Sequence, residues 1–117
     1  MKKNIVKEKS FELAVLIVEA YKYLVNEQKE FVMSKQLLRS GTAPGALIRE
    51  AEQAESKRDF THKMSIALKE CNEAEYWLDL LKHTGYFQGQ LFEDTYLKNK
   101  EVLRLLISIV KSSKDGR

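Results

Sequence analysis

One stretch of this chain carries an apolar repeat that is typical of a helix packed among other helices. The repeat advances in alternating steps of four and three residues over three heptads, through Phe60, Met64, Ala67, Cys71, Ala74, Leu78 and Leu81. These steps place every member on one face of an α-helix, which is the pattern of bundle packing. Gly85 follows the repeat and is predicted to cap this helix at its C-terminus.

Three further helices are predicted on either side of this one. The first covers about residues 10–25, the second about 31–55, and the fourth begins after Gln90 and ends near Ser112. The first helix carries two adjacent apolar rows, which make a broad apolar face. One row contains Phe11, Ala14, Val18, Tyr21 and Val25, and the other contains Leu13, Ile17, Ala20 and Leu24.

The middle of the second helix is unusual because Gly41, Pro44 and Gly45 interrupt it. A proline costs a helix interior about 3 kcal/mol and each glycine about 1 kcal/mol. The apolar periodicity nevertheless stays in register on both sides, which predicts one kinked helix. The small residues indicate that another helix passes close to this face, so added bulk at Gly45 is expected to destabilise the fold.

Four helices with short links predict an all-α, antiparallel up-down-up-down four-helix bundle with a kinked second helix. The length of 117 residues suits a single domain over residues 1–117, with short flexible ends at about 1–8 and 113–117. No apolar run approaches the roughly 20 residues that span a bilayer, and no signal peptide is visible. A cytoplasmic protein that does not enter membranes is therefore expected.

Several segments, in order, resemble the bacterial four helix bundle protein family. They are residues 36–42 (QLLRSGT), 45–51 (GALIREA), 55–60 (ESKRDF), 62–70 (HKMSIALKE), 75–81 (EYWLDLL) and 84–86 (TGY). The family includes proteins encoded in intervening sequences of 23S ribosomal RNA genes and accessory proteins of diversity-generating retroelements. Pro44 departs from the hydrophobic residue expected in this branch.

The resemblance implies a homopentameric ring with a role in nucleic-acid or partner binding. A protein partner such as a reverse transcriptase falls within that role. The resemblance brings no catalytic motif and no cofactor. It therefore favours a protein that is not an enzyme.

Other groups that carry chemistry have a simpler interpretation. Asp59 and His62 could share one side of a helix as metal ligands, but His83 lies too far along the same helix to complete a site. Cys71 occupies the apolar row and is expected to pack as a small hydrophobe. Tyr76 and Trp77 suit either a base-stacking platform or, more commonly, packing against a second helix layer or a neighbouring subunit.

The charge distribution is more informative about function. Residues 1–9 carry a net charge of +3 and residues 98–117 carry +4, whereas residues 10–97 carry −4. In an up-down bundle both termini lie at one end, together with the link between the second and third helices. This end is predicted to be basic, and the opposite end is predicted to be acidic.

The leading hypothesis is a homo-oligomeric module whose basic end contacts the backbone of RNA or DNA. The candidate nucleic-acid-binding residues are Lys2, Lys3, Lys57, Arg58, Lys111, Lys114, Arg39 and Arg49. Arg39 and Arg49 are the weaker candidates, because they lie inside the second helix and could instead pair with Glu50, Glu52 or a neighbouring subunit. The alternative is a protein-binding scaffold without affinity for nucleic acid.

Self-association is predicted from apolar residues that exceed the needs of one four-helix core. Exposed patches of this kind mark interfaces. The candidate interface residues are Val15, Leu16, Trp77, Leu80 and Ile107.

Overall fold

The computed structural model describes residues 4–116, which form four α-helices and no strand within that range. In chain order they are α1 (Ile5–Asn26), α2 (Met33–Ala51), α3 (Lys57–His83) and α4 (Gln90–Gly116). Each helix packs against the next one in the sequence, and α4 returns to pack against α1. The predicted four-helix bundle is confirmed, and the α1–α2 edge lies opposite the α3–α4 edge.

The core follows the predicted rows only in part. Every member of the α3 repeat from Met64 to Leu81 is buried, and Phe60 is half-buried. On α1 only one of the two rows enters the core, namely Leu13, Ile17, Ala20 and Leu24. The other row leaves Phe11 57% exposed and Val18 38% exposed. The broad apolar face of α1 is therefore divided between the core and the surface.

Two helix ends show why the boundaries fall where they do. The side chain of Asn4 accepts a hydrogen bond from the backbone N–H of Lys7 at 3.1 Å, so α1 starts at Ile5, inside the segment expected to be flexible. At the end of α3, Gly85 adopts a φ of 86° and Tyr86 N donates to the Leu81 carbonyl at 2.9 Å. This is a Schellman cap, and the predicted role of Gly85 is confirmed. Helix α4 also extends further than predicted, to Gly116.

Helix α2 continues through Pro44 as predicted, although it ends at Ala51 rather than near residue 55. Helix α1 passes close to its glycines. A Cβ atom on Gly41 would lie 2.5 Å from Ile17 Cδ1, whereas one on Gly45 would lie 3.5 Å from the Ser10 carbonyl oxygen. The close approach is therefore confirmed, and Gly41 rather than Gly45 is its tightest point.

The link between α1 and α2 is held by a buried carboxylate. Glu30 is only 8% exposed, and its Oε2 accepts hydrogen bonds from Val32 N at 3.1 Å and Met33 N at 3.0 Å. Its Oε1 accepts a third from Ser34 N at 2.7 Å. One side chain thus satisfies three N–H groups at the start of α2 that have no partner inside the helix.

Candidate nucleic-acid interface and apolar surfaces

The predicted meeting of the start of α1, the end of α4 and the α2–α3 link at one end of the bundle is confirmed. Asn4 Nδ2 donates to Glu52 Oε2 at 2.9 Å, which joins the start of α1 to the end of α2. Thr61 and Ser113 share a hydrogen bond between their hydroxyl groups, which joins the start of α3 to the end of α4. We call this end the terminal end.

Four of the candidate nucleic-acid-binding residues lie exposed at the terminal end. Lys57 and Arg58 form the first turn of α3, directly after Ser56, whose hydroxyl accepts from Asp59 N at 3.0 Å. Lys111 and Lys114 lie in the last turns of α4. Within residues 4–115, none of these four cationic side chains forms an ion pair. Lys2 and Lys3 lie outside the described residues.

Acidic side chains share the terminal end, and several are already engaged. Lys7 pairs with Glu52 at 3.1 Å, and Lys63 pairs with Glu50 at 2.9 Å. The pKa of the Lys63 ammonium is raised, chiefly by its hydrogen bond to Glu50. Glu55 and Asp115 are exposed at the same end. Any attraction for phosphate here therefore rests on the local arrangement of the cations and not on a large net charge.

The two arginines of α2 lie on the sides of the bundle. Arg39 donates to Glu70 at 3.0 Å and to Glu73 at 2.6 Å, both on α3. These hydrogen bonds raise the pKa of Arg39, and Arg39 in turn lowers the pKa of Glu73. Of the partners that the sequence left open for Arg39, neither Glu50 nor Glu52 is used, because its side chain points towards α3. A phosphate would have to displace two carboxylates to bind it.

Arg49 faces the other side of α2, towards α1. Its guanidinium carbon lies 5.6 Å from the centre of the Phe11 ring, in a cation–π contact. Within the described residues it takes part in no ion pair, although it is exposed. Arg49 thus belongs to a different surface from Lys57 and Arg58.

An apolar groove runs between α1 and α2, and we call it the α1–α2 groove. Phe11, which is 57% exposed, lies at its edge. Val15 and Val18 follow Phe11 along α1 in steps of four and three, and they are 46% and 38% exposed. Its floor is built from small residues, and it includes a cavity of about 180 Å³. That cavity is lined by Ser10, Phe11, Ala14, Thr42, Gly45, Ala46 and Arg49.

A second apolar surface lies on the outside of α3, near its C-terminal end. It is an open depression of about 530 Å³ lined by Tyr76, Asp79, Leu80, Lys82 and His83. Tyr76 is 56% exposed and stands edge-on to Trp77, with 5.0 Å between ring centres. We call Tyr76, Asp79, Leu80 and His83 the α3 outer stripe.

The predicted interface residues are found in different environments. Val15 and Ile107 are 46% and 49% exposed, whereas Leu16, Trp77 and Leu80 are half-buried. Trp77 packs against the core and donates from Nε1 to Glu73 at 2.9 Å. Phe11 was missed as a surface residue because it shares an apolar row with residues such as Ala14, which is half-buried.

The end of the bundle opposite the terminal end is less acidic than its sequence suggests. The Glu30 carboxylate is buried where it caps the start of α2. The Glu93 carboxylate lies 3.9 Å from the Lys82 ammonium. Phe31 and Val32 are 53% and 73% exposed in the same region. This end therefore presents apolar side chains together with a few free carboxylates.

Cys71 packs in the core as predicted, beside a buried polar residue that the sequence did not reveal. Asn99 is fully buried on α4, and its Nδ2 donates to the Cys71 carbonyl at 3.1 Å. The Cys71 thiol donates back to Asn99 Oδ1 at 3.2 Å. Burial raises the pKa of Cys71 to about 12, so the thiol stays protonated near neutral pH.

Among the described residues, no group of three histidine, cysteine or acidic side chains is arranged to hold a metal ion, and His62 is exposed. None of the helices in that range has the length and hydropathy to cross a bilayer.

Chain order and packing define an antiparallel four-helix bundle, and the family described as 23S rRNA-intervening sequence protein matches residues 2–108. The chain belongs to this family.

A solved structure supports the same assignment. It is a protein of unknown function from the S23 ribosomal protein family of Bacteroides thetaiotaomicron, 61% identical in sequence with a TM-score of 0.87. The match covers 91% of this chain and 98% of that one. No curated protein matches the chain.

Proposed function

We propose that this protein is a non-enzymatic, homo-oligomeric binding module that contacts the backbone of RNA or DNA through its terminal end. The observation that carries the proposal is the group of exposed cations formed by Lys57, Arg58, Lys111 and Lys114. They extend from two adjacent helices, and no carboxylate among the described residues neutralises them by an ion pair. The proposed setting is the cytoplasm.

The chemistry of these side chains favours contacts with phosphate. Lysine offers a compact charge without the planar geometry that reads base edges, and phosphate contacts position a protein without reading sequence. Lys2 and Lys3 belong to the same proposed contact by their position in the chain. Arg39 and Arg49 are not part of it, since one is ion-paired and the other lies over Phe11.

Self-association would increase the affinity of such a module. Several apolar side chains besides Phe11 and Val15 are exposed on the bundle, including Leu97 and Ile107. A closed ring would repeat the terminal end around its axis, so that one nucleic acid meets several copies at once. We propose five subunits because the family resemblance implies that number.

One observation favours a protein partner as a second candidate function. The end opposite the terminal end exposes Phe31 and Val32 beside Glu27, and exposed apolar side chains of this kind mark protein contacts. A scaffold that binds another protein, such as a reverse transcriptase, would use this end. The two functions therefore involve opposite ends of the molecule and can be separated by mutation.

Reversing Lys57 and Arg58 to glutamate should weaken binding to every RNA and DNA sequence tested. Both residues are exposed and start a helix outside the core, so helicity and assembly should be unchanged. The measurement is a titration of labelled RNA and DNA at low salt, up to about 50 µM protein, which falls within the range of non-specific affinities.

The matched control is the double variant Lys35→Glu and Lys69→Glu. It changes the net charge by the same amount at exposed positions away from the terminal end, and it should bind as the wild type does. Equal binding by the wild type and the Lys57/Arg58 variant would favour the protein scaffold. Absence of wild-type binding would do the same.

A further inference from the structure

We propose that the nucleic-acid contact continues from the terminal end along the outside of α4, with Arg104 as a further residue that binds phosphate. The inference rests on the proposed function and extends its site to the side of the bundle. We call Arg104, Ser108 and Lys111 the α4 outer face. The ligand is the one proposed for the terminal end, the phosphodiester backbone of RNA or DNA.

The spacing of these three residues places them on one side of α4. Ser108 follows Arg104 by four residues, Lys111 follows Ser108 by three, and all three are exposed. At 1.5 Å per residue, Arg104 lies roughly 10 Å along the helix from Lys111, which already belongs to the terminal end. The α4 outer face therefore continues the terminal group of cations by two helical turns.

The nearest carboxylate on the same helix does not neutralise Arg104. Glu101 lies one turn earlier but is held on the α1 side, at 3.7 Å from Lys9 and 3.2 Å from Lys98. No acidic residue occurs between Glu101 and Asp115. Within the described part of the chain, Arg104 takes part in no ion pair. A phosphate could therefore bind Arg104 without displacing a carboxylate from it.

Other cations of α4 have a structural partner that Arg104 lacks among the described residues. Lys98 pairs with Glu12 of α1 at 2.8 Å. Lys100 pairs with Glu75 of α3 at 3.1 Å. Both ion pairs connect α4 to a helix of its own bundle, whereas Arg104 is exposed and makes no such connection. Its charge is thus available to an external anion.

The residue types on the α4 outer face suit a phosphate backbone. An arginine presents a planar fork of N–H donors that can bind a phosphate through two hydrogen bonds, and a lysine adds a compact charge. The Ser108 hydroxyl lies between these two cations in the sequence, and serine is among the side chains that donate to phosphate oxygens. Contacts of this kind position a nucleic acid without reading its bases.

The apolar residue beside this face belongs to a different side of the helix. Ile107 follows Lys100 by seven residues, so it lies on the side of α4 that faces α3. It is 49% exposed and is a candidate for self-association. Because Arg104 and Ile107 are less than one turn apart, assembly has to be measured together with binding in any Arg104 variant.

The test compares substitutions of Arg104 in the full chain, with labelled duplex DNA as the probe. Arg104→Gln should make the slope of log affinity against log salt shallower by about 0.9 for each copy in contact, and should weaken binding about eightfold per contact at about 0.1 M salt. Arg104→Lys keeps the charge and should keep the wild-type slope. The matched control is Arg49→Gln, which removes an exposed arginine from the α1–α2 side and should change neither quantity.

The outcomes separate this inference from the proposed function. An unchanged slope for Arg104→Gln, with binding still weakened by the Lys57/Arg58 reversal, would overturn the inference and leave the proposed function intact. Equal effects of Arg104→Gln and Arg49→Gln would also overturn it, since net charge alone would then explain both. Light scattering should give Arg104→Gln the wild-type mass, and a changed mass would show instead that copies meet at this face. A wild type that does not bind would overturn both proposals.

Discussion

Replacing Gly41 by alanine should destabilise the protein by about 1–3 kcal/mol more than the same replacement at Gly45, through overpacking. Both positions lie inside α2 and gain the same intrinsic helix propensity from alanine, so their difference isolates the effect of packing. A Cβ on Gly41 would lie 2.5 Å from Cδ1 and 2.6 Å from Cγ1 of Ile17. Ile17 is fully buried and β-branched, and it has little freedom to move away.

Urea denaturation of both variants provides the measurement. Adding Ile17→Ala, which removes the side-chain atoms that a Cβ on Gly41 would meet, should reduce the penalty at Gly41 and leave the effect of Gly45→Ala unchanged. Equal stability of Gly41→Ala and Gly45→Ala would show that α1 does not press on α2 at this point.

Replacing Glu30 by alanine should destabilise the protein by about 2–3 kcal/mol, since hydrogen bonds to a charged group contribute about 1.5–3 kcal/mol. The substitution removes the acceptor for the N–H groups of Val32, Met33 and Ser34. Ser34 is fully buried, so water cannot easily replace the carboxylate at its N–H. The loss should appear as a lower urea midpoint with an unchanged slope.

Glu27→Ala is the matched control for this effect. Glu27 lies in the same link but is exposed, so its removal should change stability by less than about 0.5 kcal/mol. Similar losses in the two variants would mean that the cap is not what fixes the start of α2.

Much of the fold could be predicted because helix packing leaves a periodic record in the sequence. Periodicity predicted the α3 helix and the continuity of α2 through Pro44. The cap at Gly85 was predicted because this glycine follows the last apolar position of the α3 repeat. Periodicity alone does not say which of two neighbouring apolar rows faces inward. On α1 the row that faces inward includes Ile17, which packs closely against Gly41 of α2.

Polar residues with a specific structural role were the hardest to predict. In the sequence, Glu30 is one of several charged residues in a polar link, and Asn99 interrupts an apolar row. Each gains its role only from groups that the fold brings near, namely the N–H groups of the first turn of α2 and the backbone of Cys71. Arg39 is similar, since its carboxylate partners lie more than thirty residues away in the sequence.

The candidate site was predicted in position but not in detail. Up-down topology places Lys57, Arg58 and the end of α4 together, and the structure has them there. Acidic residues share this end as well, and a net charge counted along the sequence does not show this because it ignores position in space. Glu52 and Glu50 pair with Lys7 and Lys63, and the four terminal cations form no ion pair within residues 4–115.

The salt dependence of nucleic-acid affinity tests the central proposal most directly. If the terminal end binds phosphates, log affinity for duplex DNA should fall linearly with log salt, with a slope of about −0.9 for each phosphate contacted. Reversing Lys57 and Arg58 should make that slope shallower by about 2 for each copy in contact. An affinity that does not change with salt, or a slope that the reversal leaves unaltered, would contradict binding through this end.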